Sequence, residues 1–205
     1  MRSNKQHAKT LRMVQLAILV AIMIIFAFTP LGYLKIGLIE ITFMVFPVAM
    51  GAILLGPAAG AFLGGVFGVT SFVQCFGMSV FGTFLMSLNP ILTFVTCIVP
   101  RILCGWLTGL VYRCLKNKAG IVGYYIASLS TALLNTLFFM GCIIAFYWRN
   151  PEFLSTMGAW GMTTDSVWIF LVGFVGLNGA VEALVNTLIG GTAAKIVDVT
   201  VNKHR

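Results

Sequence analysis

"PILTFVTCIVPRILCGWLTGLVY", residues 90–112, holds a single charged side chain, Arg101. The nearest other charges in the chain are Glu40 on one side and Arg113 on the other. A run this apolar exceeds the roughly 20 residues that cross a bilayer as a helix. A guanidinium near the middle of such a run must be paired, hydrated or waiting for something. The reading of this one stretch as a membrane span, with Arg101 in its interior, decides the reading of the rest.

The composition supports that reading. Of the 205 residues 60% are hydrophobic and 9% charged, and the mean hydropathy is strongly positive. Soluble domains carry about 25% charged residues, so this chain lacks the polar surface for one. The expected fold is an all-α integral membrane protein, a compact bundle of six transmembrane helices forming one domain over residues 1–205. The spans are placed at about 11–31, 39–55, 58–75, 90–112, 120–147 and 167–194. "TPLG" ends the first, and Gly56-Pro57 breaks the uncharged run between the second and third. "FGMSVFGTFLMSLNP" (76–90) reads as a glycine-spotted aromatic connection, and "RNPEFLSTMGAWGMTTDS" (149–166) as the longest polar loop.

The net charge of +8 reflects topology rather than nucleic-acid binding. Arg2, Lys5, Lys9 and Arg12 precede the first span, Arg113, Lys116 and Lys118 follow the fourth, and Lys195, Lys203 and Arg205 close the chain. Basic residues beside span ends mark the cytoplasmic side. Six spans bring all three clusters to that side, with both termini cytoplasmic and Lys35, Arg149, Glu152 and Asp165 opposite. The first apolar segment shows no small-residue cleavage site and reads as a retained span. The five cysteines lack CxxC spacing and the two histidines, His7 and His204, lie in the tails. No metal site or cofactor is expected, and the cysteines read as small packing residues.

Two small-residue patterns stand out. "AILVA" sets Ala17 and Ala21 one turn apart in the first span, and "GAFLGGVFG" sets Gly60, Gly64 and Gly68 in the third. Such spacing lets helix backbones approach closely in lipid. For the glycines the reading is packing within the chain. For the alanines, spacing alone does not separate an internal seam from a docking face for another protein.

Polar residues also fall on shared helical faces. "NGAVEALVN" spaces Asn178, Glu182 and Asn186 four apart, and Ser128, Thr131 and Asn135 share a face of the fifth span. Thr93, Cys97, Arg101, Gly105 and Thr108 form a stripe on the fourth. At about 1.5 Å per residue, Arg101, Asn135 and Asn178 lie roughly 17 Å from their span ends, with Glu182 about one turn deeper. The bland explanation is an Arg101–Glu182 ion pair that fixes helix packing. The alternative is a cavity for a small polar molecule bearing a carboxylate, since the amides have donors and acceptors to spare. Gln74 stands where it would line the mouth of that cavity, and Trp160 or Trp168 would close it. No catalytic motif or phosphate-binding loop is present, so an enzyme is not expected and any ATP must be handled by another subunit.

Taken together, AxxxA in the first span, the "LGP" turn, "VPRILCG", "LLNT" and "NGAVEALV" resemble the substrate-binding S components of energy-coupling factor (ECF) vitamin transporters. The similarity covers nearly the whole chain and looks nearest to the pantothenate-type group. It implies a multi-pass protein of a prokaryotic plasma membrane that captures a small water-soluble vitamin at high affinity. The vitamin would cross by reorientation of the protein against a transmembrane coupling subunit driven by two cytoplasmic ATPases. Under that resemblance Ala17 and Ala21 dock on the coupling subunit, and Arg101, Asn135, Asn178 and Glu182 line or support the pocket. Many relatives are expected to carry threonine before Asn135, where this chain has Leu134. Pantothenate, with one carboxylate, hydroxyls and an amide, suits the polar layer. Folate, biotin and riboflavin remain as alternatives, as do a self-sufficient small secondary carrier and a structural membrane protein.

Overall fold

A computed structural model describes residues 2–29, 32–36, 39–162 and 166–203, and within them the side chains apart from 2–5, 7–8, 33–41, 174–175, 177–178, 198–199 and 201–203. The elements in order are α1 (Arg2–Phe28), β1 (Tyr33–Ile36), β2 (Ile39–Thr42), α2 (Val45–Leu55), α3 (Pro57–Gln74), α4 (Val80–Leu88), α5 (Pro90–Leu115), α6 (Val122–Tyr147), α7 (Pro151–Ala159) and α8 (Val167–Lys203). The fold is helical but for one short antiparallel hairpin, in which Tyr33 faces Thr42 and Ile36 faces Ile39. Among the described residues five segments are long and apolar enough to cross a bilayer: 9–28 of α1, α3, α5, α6 and 179–197 of α8. Exposed Ile18, Trp106, Leu133, Leu137, Val172 and Leu188 on these helices form the kind of apolar exterior that only lipid covers. This is a multi-pass membrane protein.

Local chemistry starts the helices where it should. Asn89 and Asn150 each precede a proline at the first helical position, and their side-chain oxygens accept two backbone N–H groups, Ile91 and Leu92 in one case, Glu152 and Phe153 in the other. Both the cap and the proline suit a helix start, where N–H groups have no carbonyl partner. Ser79 caps α4 by accepting from Gly82 N at 3.1 Å. Pro57 opens α3 directly after Gly56, whose φ of 96° belongs to the region glycine favours. That glycine allows α2 and α3 to reverse with no intervening loop.

Two expectations need adjustment. The segment 39–55 is not one helix: 39–42 pair as β2, and α2 begins only at Val45. At about 1.5 Å per residue α2 reaches about 16 Å, half a bilayer. Both long connections also contain a helix, α4 and α7.

The helices α3, α5, α6 and α8 pack antiparallel in succession, and their contacts define levels. Gly60 meets Gly105, Gly64 meets Arg101, Gly68 meets Ile98, and Pro57 meets Gly109, backbone against backbone. The glycine ladder is therefore the α3–α5 seam. Thr93 and Tyr147 share a hydrogen bond of 2.9 Å, and Cys104 Sγ donates to the Thr131 carbonyl at 3.1 Å, aligning α5 with α6. Asn135 reaches Glu182, and Gly190 lies against Ser128, aligning α6 with α8. Short α2 sits among α1, α3, α5, α6 and α8 and is buried from Val45 to Ile53 apart from Phe46, which is half-buried. Val48 lies beside Gly105 and Phe46 beside Gly190, so α2 fills the Gly56 end of the bundle, with Val48 about one turn below Arg101. A second apolar cluster closes the opposite end: Leu85, Ile143, Tyr147, Phe153, Met157 and Phe170, flanked by Phe81, Phe84, Phe139, Trp148 and Trp160. Arg101, Asn135 and Glu182 occupy the level between the two clusters.

Candidate functional site

Arg101 is buried on the inner face of α5. The residue before it, Pro100, has no N–H and so cannot make the helical bond to the carbonyl four residues back. That carbonyl belongs to Thr96, and Arg101 Nη1 donates to it at 2.6 Å. The guanidinium carbon lies 4.4 Å from the centre of the Phe139 ring on α6 and 5.4 Å from that of Phe67 on α3, both within cation–π range. Arg101 Nε has no hydrogen-bond partner among the described residues.

Glu182, buried on α8, accepts from Asn135 Nδ2 at 3.4 Å. Its backbone carbonyl accepts from Asn186 Nδ2 at 2.9 Å. The charges of Arg101 and Glu182 lie close enough to interact, yet they form no ion pair within 4.0 Å among the described residues. The packing pair considered from sequence is therefore not made. Among described residues the buried side-chain atoms left without a hydrogen bond are Thr96 Oγ1, Arg101 Nε, Ser128 Oγ, Asn135 Oδ1 and Asn186 Oδ1. Buried polar atoms are nearly always satisfied. Three of these five belong to the Arg101–Asn135 level, and the other two to the level of Ser128 and Gly190 nearer the Gly56 end.

The structure brings Arg101, Asn135 and Glu182 into one layer. The Cys104–Thr131 bond one turn below fixes Arg101 and Asn135 at the same height, and the Asn135–Glu182 bond adds α8. The side chain of Asn178 lies outside the described residues. Gln74 is buried at the end of α3 and donates Nε2 to the Ala27 carbonyl at 2.6 Å, so its amide nitrogen ties α3 to the last turn of α1. Trp160 packs edge-on against Phe84 at 5.4 Å within the aromatic cluster, whereas Trp168 is 77% exposed. Ala17 and Ala21 are both exposed, on the side of α1 away from its buried residues Leu19, Met23 and Ala27. Sequence reasoning passed over Thr96, Phe67 and Phe139. Two signals pointed to them: Phe139 follows Asn135 by one turn, and Thr96 sits four residues before a proline inside a helix.

This layer suits an anion. It offers a cation with no acid partner among the described residues, and an amide oxygen free to accept from a hydroxyl or N–H of the same ligand, under a roof of aromatic rings. The profile of the substrate-specific component of ECF transporters matches residues 11–190. The chain belongs to the family of ECF transporter S components. It is 29% identical over 170 residues, 78% of either chain, to the pantothenate transporter PanT of Leuconostoc mesenteroides subsp. mesenteroides. It is 30% identical over 138 residues to the pantothenic acid transporter PanT of Lactococcus lactis subsp. cremoris, covering 62% of this chain and 70% of that one. For an S component the buried polar layer between two apolar clusters is the natural candidate for the substrate site.

Proposed function

We propose that this S component captures pantothenate and delivers it through an ECF module in a bacterial plasma membrane. The observation that carries the reading is the buried Arg101, held by a carbonyl and two aromatic faces but, among the described residues, by no carboxylate. A carboxylate ligand supplies the charge partner that the protein withholds. Asn135 Oδ1 then accepts from a hydroxyl or the amide N–H of the vitamin, the Thr96 hydroxyl donates to or accepts from its polar groups, and Asn178, Glu182 and Gln74 line or support the pocket. The similarity to two pantothenate transporters favours this vitamin over folate, biotin or riboflavin.

In this reading α2 counts as the sixth crossing, completed by the hairpin above it. Both termini are then cytoplasmic, beside the basic clusters, and the aromatic cluster roofs the site from outside. The exposed Ala17–Ala21 face of α1 is the close-packing surface for the coupling subunit, whose two ATPase partners hydrolyse ATP. The test is binding of labelled pantothenate to the purified chain, with biotin, folate and riboflavin as competitors, then uptake into liposomes. Saturable binding by the chain alone, with uptake only when coupling subunit, ATPases and ATP are present, is the expected result. Uptake by this chain without ATP, or preference for an uncharged vitamin, refutes it.

A further inference from the structure

We infer that Pro100 is a positioning residue for the substrate carboxylate, acting through the Thr96 carbonyl on Arg101. The inference rests on the pantothenate reading above and adds to it the device that aims the guanidinium.

In a regular helix the N–H of residue 100 donates to the carbonyl of residue 96. Proline removes that donor, and the vacated acceptor is buried: Thr96 is fully enclosed and Arg101 nearly so. Arg101 Nη1 takes the place of the missing donor at 2.6 Å. An arginine carries five N–H groups in a rigid planar fork, so holding one corner limits where the others can point. That plane lies against Phe139 and Phe67, which prevents it from swinging about the anchored nitrogen. The long, flexible side chain is thereby held in place before any ligand arrives. Ordering an arginine otherwise opposes binding through lost rotamer freedom. The Gly64 contact with the Arg101 carbonyl fixes the backbone from the other side, so proline, carbonyl and glycine hold one residue.

An alternative is that Pro100 only shapes α5. The two differ in what Pro100→Ala does to two ligands, pantothenate and pantothenyl alcohol, which has a hydroxymethyl group in place of the carboxylate. Alanine returns the N–H, which competes with Nη1 for Thr96 O. Alanine is also the better helix residue, so the variant is expected to fold and to unfold at or above the wild-type temperature. Positioning predicts that pantothenate binding weakens about tenfold, the cost of losing one charge-assisted contact or its preorganisation, while binding of the alcohol stays within about twofold. In an Arg101→Gln background the same change should have no further effect on either ligand. Equal losses for acid and alcohol, or no loss for either, overturn the inference. A wild-type protein that binds neither ligand overturns the pantothenate reading itself, and the positioning role falls with it.

Discussion

Gly64→Ala tests the seam on which the site is built. A Cβ placed on Gly64 runs into the carbonyl oxygen of Arg101, has its carbonyl carbon at 2.7 Å, and meets Cα of Ile102 at 3.1 Å. Non-bonded carbons are comfortable at about 3.5–4.0 Å. All of these atoms are backbone, so no side chain can rotate out of the way. The two helices must separate, by about 1 Å at this level to restore contact distances. Overpacking of this kind costs about 1–3 kcal/mol. At about 2–4 °C per kcal/mol for a chain of this size, thermal unfolding in detergent should fall by roughly 2–12 °C. Because the overlap is with Arg101 itself, pantothenate binding should weaken beyond what the stability loss explains.

Gly65→Ala is the matched control. Its Cβ has only Ile102 side-chain atoms nearby, at 3.7 and 3.9 Å, and the substitution trades a poor helix residue for a good one. Its unfolding temperature should stay level or rise, and its affinity should not change. Both are read by thermal unfolding monitored by size-exclusion recovery and by equilibrium binding. If Gly64→Ala is as stable as wild type, or if the two variants fall together, the backbone-contact seam is not the basis of the fold.

Three further outcomes follow from the same geometry. Arg101→Met removes a buried charge without an acid partner and keeps its apolar stem, so the empty protein should remain folded while pantothenate affinity drops about 10- to 100-fold; calorimetry and thermal unfolding on one sample check both. Gln74→Leu deprives the Ala27 carbonyl of its donor at a cost of about 1–3 kcal/mol, and should loosen α1 first, as seen by amide exchange over residues 20–28. Ala17→Leu with Ala21→Leu enlarges an exposed face and should leave vitamin binding by the isolated chain unchanged, while uptake by the assembled transporter falls at least about tenfold through lost close packing.

The long spans were legible because a bilayer demands long apolar helices, and α3, α5 and α6 start or end within a few residues of the expected positions. The stripes on α5 and α6 were legible for the same reason: a 3.6-residue period puts Thr93, Cys97, Arg101, Gly105 and Thr108 on one face, and all five are buried. Hydropathy could not separate "IEIT" from α2, because an apolar strand and an apolar helix score alike over four residues. Pro47, in the first turn of α2, was the available sign of a later start. The short helices α4 and α7 hid in segments read as loops, although the Asn-Pro pair before α7 is itself a helix-start signal. Depth was misjudged by one turn on α8. The count from Val167 ignores that Phe170 packs against Trp148 at the end of α6, so the first turn of α8 starts beyond that level. Removing that turn brings Glu182, rather than a residue four positions earlier, to Asn135. Ion pairing was not legible at all, since it depends on side-chain directions that spacing does not set.

That last difference bears most on function. An Arg101–Glu182 pair would have made the empty layer self-sufficient, and an incoming carboxylate would then have had to displace Glu182 from the guanidinium. Displacement exchanges one charge-assisted contact for another and leaves little net gain. The arrangement found keeps the arginine tolerable in the empty protein by weaker means: one carbonyl freed by Pro100 and two ring faces. Glu182 is meanwhile occupied by Asn135. On the proposed reading the ligand's charge meets a cation whose hydrogen-bond and ring partners are neutral and need not leave. Coulomb attraction to Arg101 then favours binding, offset in part where Glu182, on Asn135 in the same layer, is charged. The same logic explains why an uncharged vitamin would bind poorly here: it would cover Arg101 without neutralising it, and the cost of an unpaired buried charge would remain.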